Sequence, residues 1–176
     1  LNMKHIIILI GFKACGKSTI GKALAQHLGC QWIDTDRDIE AHYFNQHHQQ
    51  LSCREIVRRH NIDHFKTLES IIFKQLNSAC KSIISTGGSS FYHTNNHTHL
   101  PENSQVIYLK TDIHTLTQRW RDHPPPWLIE DINHPLSQQA LHDRDQCYTE
   151  LADDIIDTTQ CSIETTFHNI LEKITP

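Results

Sequence analysis

A glycine-rich octapeptide near the start of the chain, GFKACGKS at residues 11–18, constrains the fold more than any other stretch. It follows the apolar run Ile6–Ile10, which suits a strand that is buried on both faces of a parallel sheet. Apolar residues then recur every four positions between residues 20 and 28, which predicts a helix that ends at Gly29. In this order of strand, loop and helix, the pattern Gly-x-x-x-x-Gly-Lys-Ser is specific for phosphate binding.

The chemistry of the loop predicts that it binds a nucleoside triphosphate such as ATP. Glycines let successive backbone N–H groups converge on phosphate oxygens, and the positive end of the helix dipole strengthens the attraction. We expect Lys17 to reach the β- and γ-phosphates and to act in catalysis, and Ser18 to ligate Mg²⁺. The predicted ATP-binding residues of the loop are Gly11, Lys13, Ala14, Cys15, Gly16, Lys17, Ser18 and Thr19. A chance glycine-rich turn is the alternative, and the motif in its context argues against it.

The remainder of the chain alternates strand and helix patterns. Further strands are predicted at residues 31–34, 81–86, 105–109 and 154–157. Further helices are predicted at residues 37–44, 54–60, 63–79, 114–121, 136–151 and 163–174. This alternation predicts an α/β fold of three layers, in which helices flank a five-stranded parallel sheet. We expect residues 1–176 to form a single domain.

Composition argues against several classes of function. A net charge of −4 without a basic stripe argues against nucleic-acid binding, and no apolar run approaches the roughly 20 residues of a membrane helix or resembles a signal peptide. Six scattered cysteines favour free thiols and a cytoplasmic protein. Among the 15 histidines, the pair at 47–48 and the group at 93, 97 and 99 lie among Asn, Gln and Thr without a Cys or carboxylate partner, so solvated surface is favoured over a metal site. We expect a monomer.

Two carboxylates in the segment IDTD, Asp34 and Asp36, are candidates for the chemistry beside the loop. They lie two positions apart at a predicted strand end, so their side chains are expected on the same side. This end of a parallel sheet is where such folds bind ligands. One carboxylate would hold Mg²⁺ through water, and the other would orient an attacking hydroxyl. The alternative is that an aspartate caps the following helix.

Five motifs in this order resemble the shikimate kinase family. They are GFKACGKSTIGKALA at 11–25, DTD at 34–36, FKTLE at 65–69, STGGS at 85–89 and RDQCYTELAD at 144–153. The resemblance extends over residues 6–158 and implies a P-loop fold of the nucleoside monophosphate kinase type with a mobile lid. It also implies transfer of the ATP γ-phosphate to the 3-hydroxyl of shikimate, in aromatic amino-acid synthesis.

The resemblance implies roles for individual residues. Asp36 matches the aspartate that contacts the acceptor hydroxyls and serves as their base, and Asp34 matches the aspartate near Mg²⁺. Gly87 and Gly88 match glycines that bring backbone N–H groups to the substrate. Arg144 matches the arginine that binds the substrate carboxylate.

Arg144 is also notable without the resemblance. It shares a predicted helical face with Leu141, Tyr148 and Leu151, so its charge points to the apolar side. Such a group needs an anionic partner, which is either a structural carboxylate or a bound ligand with a carboxylate.

The chain departs from the family pattern at three places. Lys66 occupies a position where the family has arginine, which keeps the charge but loses the fork that matches a carboxylate. Ser89 replaces a third glycine, and both residues remain candidate substrate contacts. The expected lid, residues 122–135, contains Pro124, Pro125 and Pro126 but no arginine, and there is none anywhere from residue 122 to residue 143. The candidate replacements are Arg119, also predicted to bind ATP, Arg121 and His123.

In a shikimate kinase, we expect the helical region at residues 37–79 to bind the acceptor. The three departures leave two alternative functions open. The first is a kinase of another small hydroxy acid such as gluconate. The second is a regulatory protein that binds nucleotide without useful catalysis, although the presence of both Asp34 and Asp36 argues against it.

Overall fold

The centre of the fold is a sheet of five parallel strands in the order β2-β3-β1-β4-β5. A computed structural model describes residues 6–76, 81–92 and 95–174. The strands are β1 (Ile6–Ile10), β2 (Gln31–Asp34), β3 (Ser82–Ser85), β4 (Ser104–Lys110) and β5 (Asp154–Asp157). All five residues of β1 are buried, because this central strand is covered on both faces. The predicted five-stranded parallel sheet is confirmed.

Seven helices flank this sheet in the described part of the chain. They are α1 (Lys17–Leu28), α2 (Thr35–His47), α3 (Cys53–Arg59), α4 (Ile62–Leu76), α5 (Ile113–Arg119), α6 (Pro135–Leu151) and α7 (Ile163–Ile174). The helix predicted over 63–79 is observed up to Leu76, and positions 77–79 lie outside the described residues. None of the helices described has the length and apolar character that a membrane crossing requires.

Helix α2 begins directly after β2, because Asp34 caps it. The Asp34 Oδ1 atom accepts hydrogen bonds from the backbone N–H groups of Asp36 (3.2 Å) and Arg37 (3.4 Å). Asp36 therefore lies in the first turn of a helix. Because of this cap, the helix starts at Thr35, two residues earlier than predicted, and Asp36 does not lie on the strand. The two carboxylates are nevertheless close enough for the charge of Asp34 to raise the pKa of Asp36.

Helices α2, α3 and α4 enclose a small apolar core of their own, separate from the core around the sheet. Its buried members are Ile39, Tyr43, Ile56, Leu68 and Ile72. This packing fixes α3 against α2, at the end of the sheet where Asp34 and Asp36 lie. These three helices make up most of the described part of the helical region predicted at residues 37–79.

Gly21 allows α1 to pack closely on the sheet, and we expect Gly21→Ala to destabilise the fold. A Cβ atom at position 21 would collide with Ser85 Oγ and lie 3.0 Å from Trp32 Nε1. Ser85 Oγ donates to the Lys17 carbonyl (2.9 Å) and accepts from Trp32 Nε1 (3.1 Å), so moving it breaks two bonds. Urea unfolding should show a loss of about 1–3 kcal/mol, typical of overpacking. The control Gln26→Ala, on the exposed face of α1, should change little. Equal stability of Gly21→Ala would contradict the close packing.

Candidate active site

The loop between β1 and α1 forms a cradle that contains a buried lysine. Gly11 and Gly16 have φ angles of 141° and 104°, which glycine adopts at little cost. The Lys17 ammonium donates to the carbonyl oxygens of Gly11 (2.8 Å) and Phe12 (2.7 Å), and the residue is only 7% exposed. The partners of the ammonium are neutral carbonyl oxygens. Anionic phosphate oxygens can take their place, and the interaction is then more favourable because the acceptor carries a charge.

A hydroxyl and a carboxylate meet beside this lysine. Ser18 Oγ donates to Asp34 Oδ2 at 2.9 Å, while the other oxygen of Asp34 caps α2. Two hard oxygen ligands of this kind fit Mg²⁺, which usually takes its remaining ligands from water and phosphate. Residues 6–76, 81–92 and 95–174 contain no group of three or more His, Cys, Asp or Glu side chains arranged to bind a metal ion. The Ser18–Asp34 pair, at the positions predicted to hold Mg²⁺, offers the type of oxygen ligand that this ion prefers.

Asp36 presents a carboxylate with a raised pKa next to the phosphate loop. Its pKa is raised to about 6, mainly by burial and also by the nearby charge of Asp34, while Lys17 opposes the shift. A Cβ at Gly87 would lie 2.5 Å from Asp36 Oδ1, and one at Gly88 would lie 2.9 Å from the Lys13 backbone nitrogen. The two glycines therefore allow the segment after β3 to pass close to both Asp36 and the loop.

The N–H group of Gly87 is already engaged within the protein. It donates to Thr35 Oγ1 at 3.1 Å, so in this conformation Gly87 acts by close packing. Ser89, the third position of this turn, is exposed and is not among the residues with positive φ. A glycine is therefore not required there, and the serine does not distort the backbone.

Helix α5 supports the phosphate loop from outside. Arg119 Nη1 donates to the Ala14 carbonyl at 2.9 Å, and the buried Trp120 donates from Nε1 to the Lys13 carbonyl at 2.8 Å. The guanidinium of Arg119, which the sequence predicted to bind ATP, is thus in contact with the phosphate loop. Of the other predicted loop contacts, Thr19 is exposed, whereas the Cys15 side chain is buried in the main core.

Glu69, the last residue of the motif FKTLE, is a buried acid that was not among the predicted site residues. It is 3% exposed and accepts a hydrogen bond from Ser90 Oγ at 3.0 Å. Its pKa is raised to about 7: burial is the main cause, the hydrogen bond from Ser90 and the charge of Lys66 lower the pKa, and the charge of Asp36 raises it. Lys66 therefore lies within electrostatic reach of this carboxyl. An acidic residue on the apolar stripe of a helix was the available signal.

Arg144 lies between two aromatic rings. Its guanidinium carbon is 3.9 Å from the Tyr92 ring centre and 4.8 Å from that of Trp127. Arg144 is 6% exposed, and Nη1 donates to the Ala140 carbonyl at 3.1 Å. Its Nε atom has no partner among the described residues, and none of their carboxylates forms an ion pair with it. A buried guanidinium that lacks an ion-pair partner can be stabilised by an anionic ligand, which supplies both the opposite charge and the missing hydrogen bonds.

The proline-rich segment 122–135 lies against the phosphate loop. Trp127 packs on Phe12 of the loop and on Trp120, with ring centres 6.1 Å and 5.5 Å apart. Arg54 Nη2 of α3 donates to the Pro124 carbonyl at 2.5 Å. Arg121 and His123, which the sequence suggested as sources of charge, are both exposed.

Comparison with known proteins leads to one family. Residues 13–175 match the family described as shikimate kinase. Over 162 residues the chain is 34% identical to "Shikimate kinase 2" of Yersinia enterocolitica, covering 90% of this chain and 89% of the relative. The solved shikimate kinase from Acinetobacter baumannii in complex with shikimate aligns with a TM-score of 0.83 at 28% identity, covering 96% of this chain and 92% of that one. The Bacteroides thetaiotaomicron shikimate kinase gives a TM-score of 0.78 at 25% identity, with 97% and 98% covered.

Proposed function

The chain belongs to the shikimate kinase family, and we propose that it transfers the γ-phosphate of ATP to the 3-hydroxyl of shikimate. The observation that carries the choice of acceptor is Arg144, a buried guanidinium whose Nε has no partner within the described residues. Tyr148, one turn later on α6, donates to the Gly88 carbonyl, and the adjacent Gly87 packs against Asp36. A group for binding a carboxylate and a base for a hydroxyl thus flank the same segment.

The proposed reaction is a single phosphoryl transfer. Asp36 accepts the proton of the acceptor hydroxyl while the hydroxyl oxygen forms a bond to the γ-phosphorus. The bond from that phosphorus to the β–γ bridging oxygen breaks, and ADP leaves with the electron pair. Lys17 exchanges its carbonyl partners for phosphate oxygens and so neutralises charge on the leaving group.

Ser18 and Asp34 would hold Mg²⁺, whose positive charge would offset the negative charge of the phosphates. The Asp34 carboxylate also caps α2, so a single residue positions both the metal ligand and the start of the helix that carries Asp36. Trp127 on the lid segment excludes water from the anion site around Arg144, which limits ATP hydrolysis.

Acceptor-dependent ADP release tests the proposal. With ATP and Mg²⁺, we expect ADP release that requires shikimate and that gluconate does not support. Release with gluconate alone would favour the other acceptor. No release with either acid, despite measurable ATP binding, would favour a regulatory nucleotide-binding protein.

We expect Arg144→Lys to weaken shikimate binding more than turnover. Lysine keeps the positive charge but cannot offer two parallel N–H groups to a carboxylate. Losing one charge-assisted hydrogen bond of about 1.5–3 kcal/mol should raise KM for shikimate by about 10- to 100-fold, with kcat changed much less. Gln138→Ala, at an exposed position of the same helix, is the control. An unchanged KM in steady-state assays would remove Arg144 from the acceptor site.

A further inference from the structure

The first turn of α3 is tied to the catalytic end of α2. The Cys53 N–H donates to Glu40 Oε1 at 2.9 Å, and Cys53 Sγ donates to the Asp36 carbonyl at 3.4 Å. A capping box between Ser52 and Glu55 fixes the start of this helix. These contacts hold the first turn of α3, and with it the backbone of the next residue, against α2.

The next residue, Arg54, is a half-buried cation whose guanidinium reaches the lid segment. Its Nη2 atom donates to the Pro124 carbonyl of the lid segment at 2.5 Å. Within the described ranges this is its only recorded hydrogen bond, and no carboxylate forms an ion pair with it. A guanidinium has five N–H donors, so most of its hydrogen-bonding capacity remains for a ligand.

A second cation of the phosphate loop lies close to Arg54. Burial and the charge of Arg54 lower the pKa of the Lys13 amine, whereas the Asp36 carboxylate raises it. Arg54, Lys13 and Asp36 therefore share one electrostatic neighbourhood, at the side of the loop where the acceptor hydroxyl would approach. Two neighbouring cations without an ion-pair partner in the described chain favour an anionic ligand between them.

The lid segment cannot supply this charge itself. Residues 122–135 contain neither lysine nor arginine. Arg119, the nearest cation along the chain with a contact to the loop, donates to the Ala14 carbonyl from outside. An arginine that touches the transferring phosphoryl group accelerates such reactions by about 10³-fold or more, since charge spreads over its oxygens in the transition state.

We propose that Arg54 of α3 is a catalytic residue that contacts the transferring phosphoryl group, and that its bond to Pro124 couples its position to the lid. This inference rests on the proposed kinase function. The bonds formed and broken are those of the phosphoryl transfer above. Arg54 neither gains nor loses a proton; it donates N–H groups to oxygens whose negative charge increases during transfer.

The test compares Arg54→Ala and Arg54→Lys with Arg58→Ala, an exposed arginine of the same helix. We expect Arg54→Ala to lower kcat by about 10³-fold, with KM for ATP and shikimate and the melting temperature little changed. Arg54→Lys should lose less, since it keeps the charge but not the planar fork. Arg58→Ala should match the wild type. Added guanidinium ion should restore part of the activity of Arg54→Ala.

Three results would overturn the inference. The first is an unchanged kcat in Arg54→Ala. The second is a loss confined to KM and melting temperature, which would make Arg54 a structural link to the lid. The third is a lost kcat that guanidinium does not restore, which would indicate positioning of the lid. If the alanine variant does not fold, the kcat of Arg54→Lys decides. Wild-type turnover of shikimate is measured first in the same assay, and its absence would contradict the proposed function and this inference with it.

Discussion

Lys17→Ala is expected to lower kcat/KM for ATP by about 10²–10³-fold or more, the cost of removing one preorganised charge from a phosphoryl-transfer site. The ammonium is 7% exposed and lies among the loop carbonyls of Gly11 and Phe12, directly where the phosphates would bind. Alanine leaves those carbonyls without a donor and the phosphates without a counter-charge. Steady-state kinetics with varied ATP measures the effect.

Lys22→Ala is the matched control for Lys17→Ala. Lys22 lies on the same helix but is exposed, so its loss should change kcat/KM little. Thermal unfolding separates a catalytic effect from misfolding, because a folded Lys17→Ala protein should still show a cooperative transition. A Lys17→Ala enzyme that keeps wild-type kcat/KM would show that the loop does not bind the reacting phosphates.

Asp36→Asn is expected to lower kcat by about 10²–10⁴-fold, the usual contribution of a positioned general base. Asparagine has nearly the same shape, so the packing of Gly87 against this side chain is retained. It cannot accept the proton of the acceptor hydroxyl. Asp38→Asn, an exposed aspartate of the same helix, should leave kcat unchanged. Equal kcat in Asp36→Asn would exclude Asp36 as the base.

The pH dependence gives a second signature of Asp36. Its pKa is raised from 3.8 to about 6, so the carboxyl is neutral at low pH and cannot act as a base. We expect wild-type kcat/KM for shikimate to rise with pH through about 6, and this limb to be lost in Asp36→Asn. The same group affects the free energy of unfolding in the opposite sense. Its stabilising contribution is fully present below pH 3.8 and is lost as the pH rises through about 6, because the folded state holds the proton more tightly than the unfolded state. A flat profile between pH 5 and 7, where the carboxyl of pKa about 6 ionises, would contradict this assignment.

The sheet and the phosphate loop could be predicted from the sequence because their signals are local. The run Ile6–Ile10, the glycines of the loop and Gly29 each act within a few residues. The position of Asp36 was harder to predict, because the segment 34–36 could either extend the strand or begin a helix. The side chain of Asp34 decides that competition by accepting two backbone N–H groups.

The contacts that surround the ligand sites could not be predicted in the same way. Arg54 and Pro124 lie 70 positions apart, and the rings on either side of Arg144 come from residues 92 and 127. No periodicity or motif spacing records such pairs, because only the folded chain brings them together. The sequence did indicate that Arg144 needs an anion. The fold places two aromatic rings against it, and in the described chain the nearby Asp143 carboxylate acts on it through its charge without forming an ion pair.

A crystal structure of the chain with a non-hydrolysable ATP analogue, Mg²⁺ and shikimate tests the central claim most directly. We expect phosphate oxygens within hydrogen-bond distance of Lys17 Nζ in place of the carbonyls of Gly11 and Phe12. We also expect the acceptor hydroxyl to contact the Asp36 carboxylate and to face the γ-phosphorus. A glycine loop without phosphate, or an acceptor hydroxyl bound away from Asp36, would contradict the account.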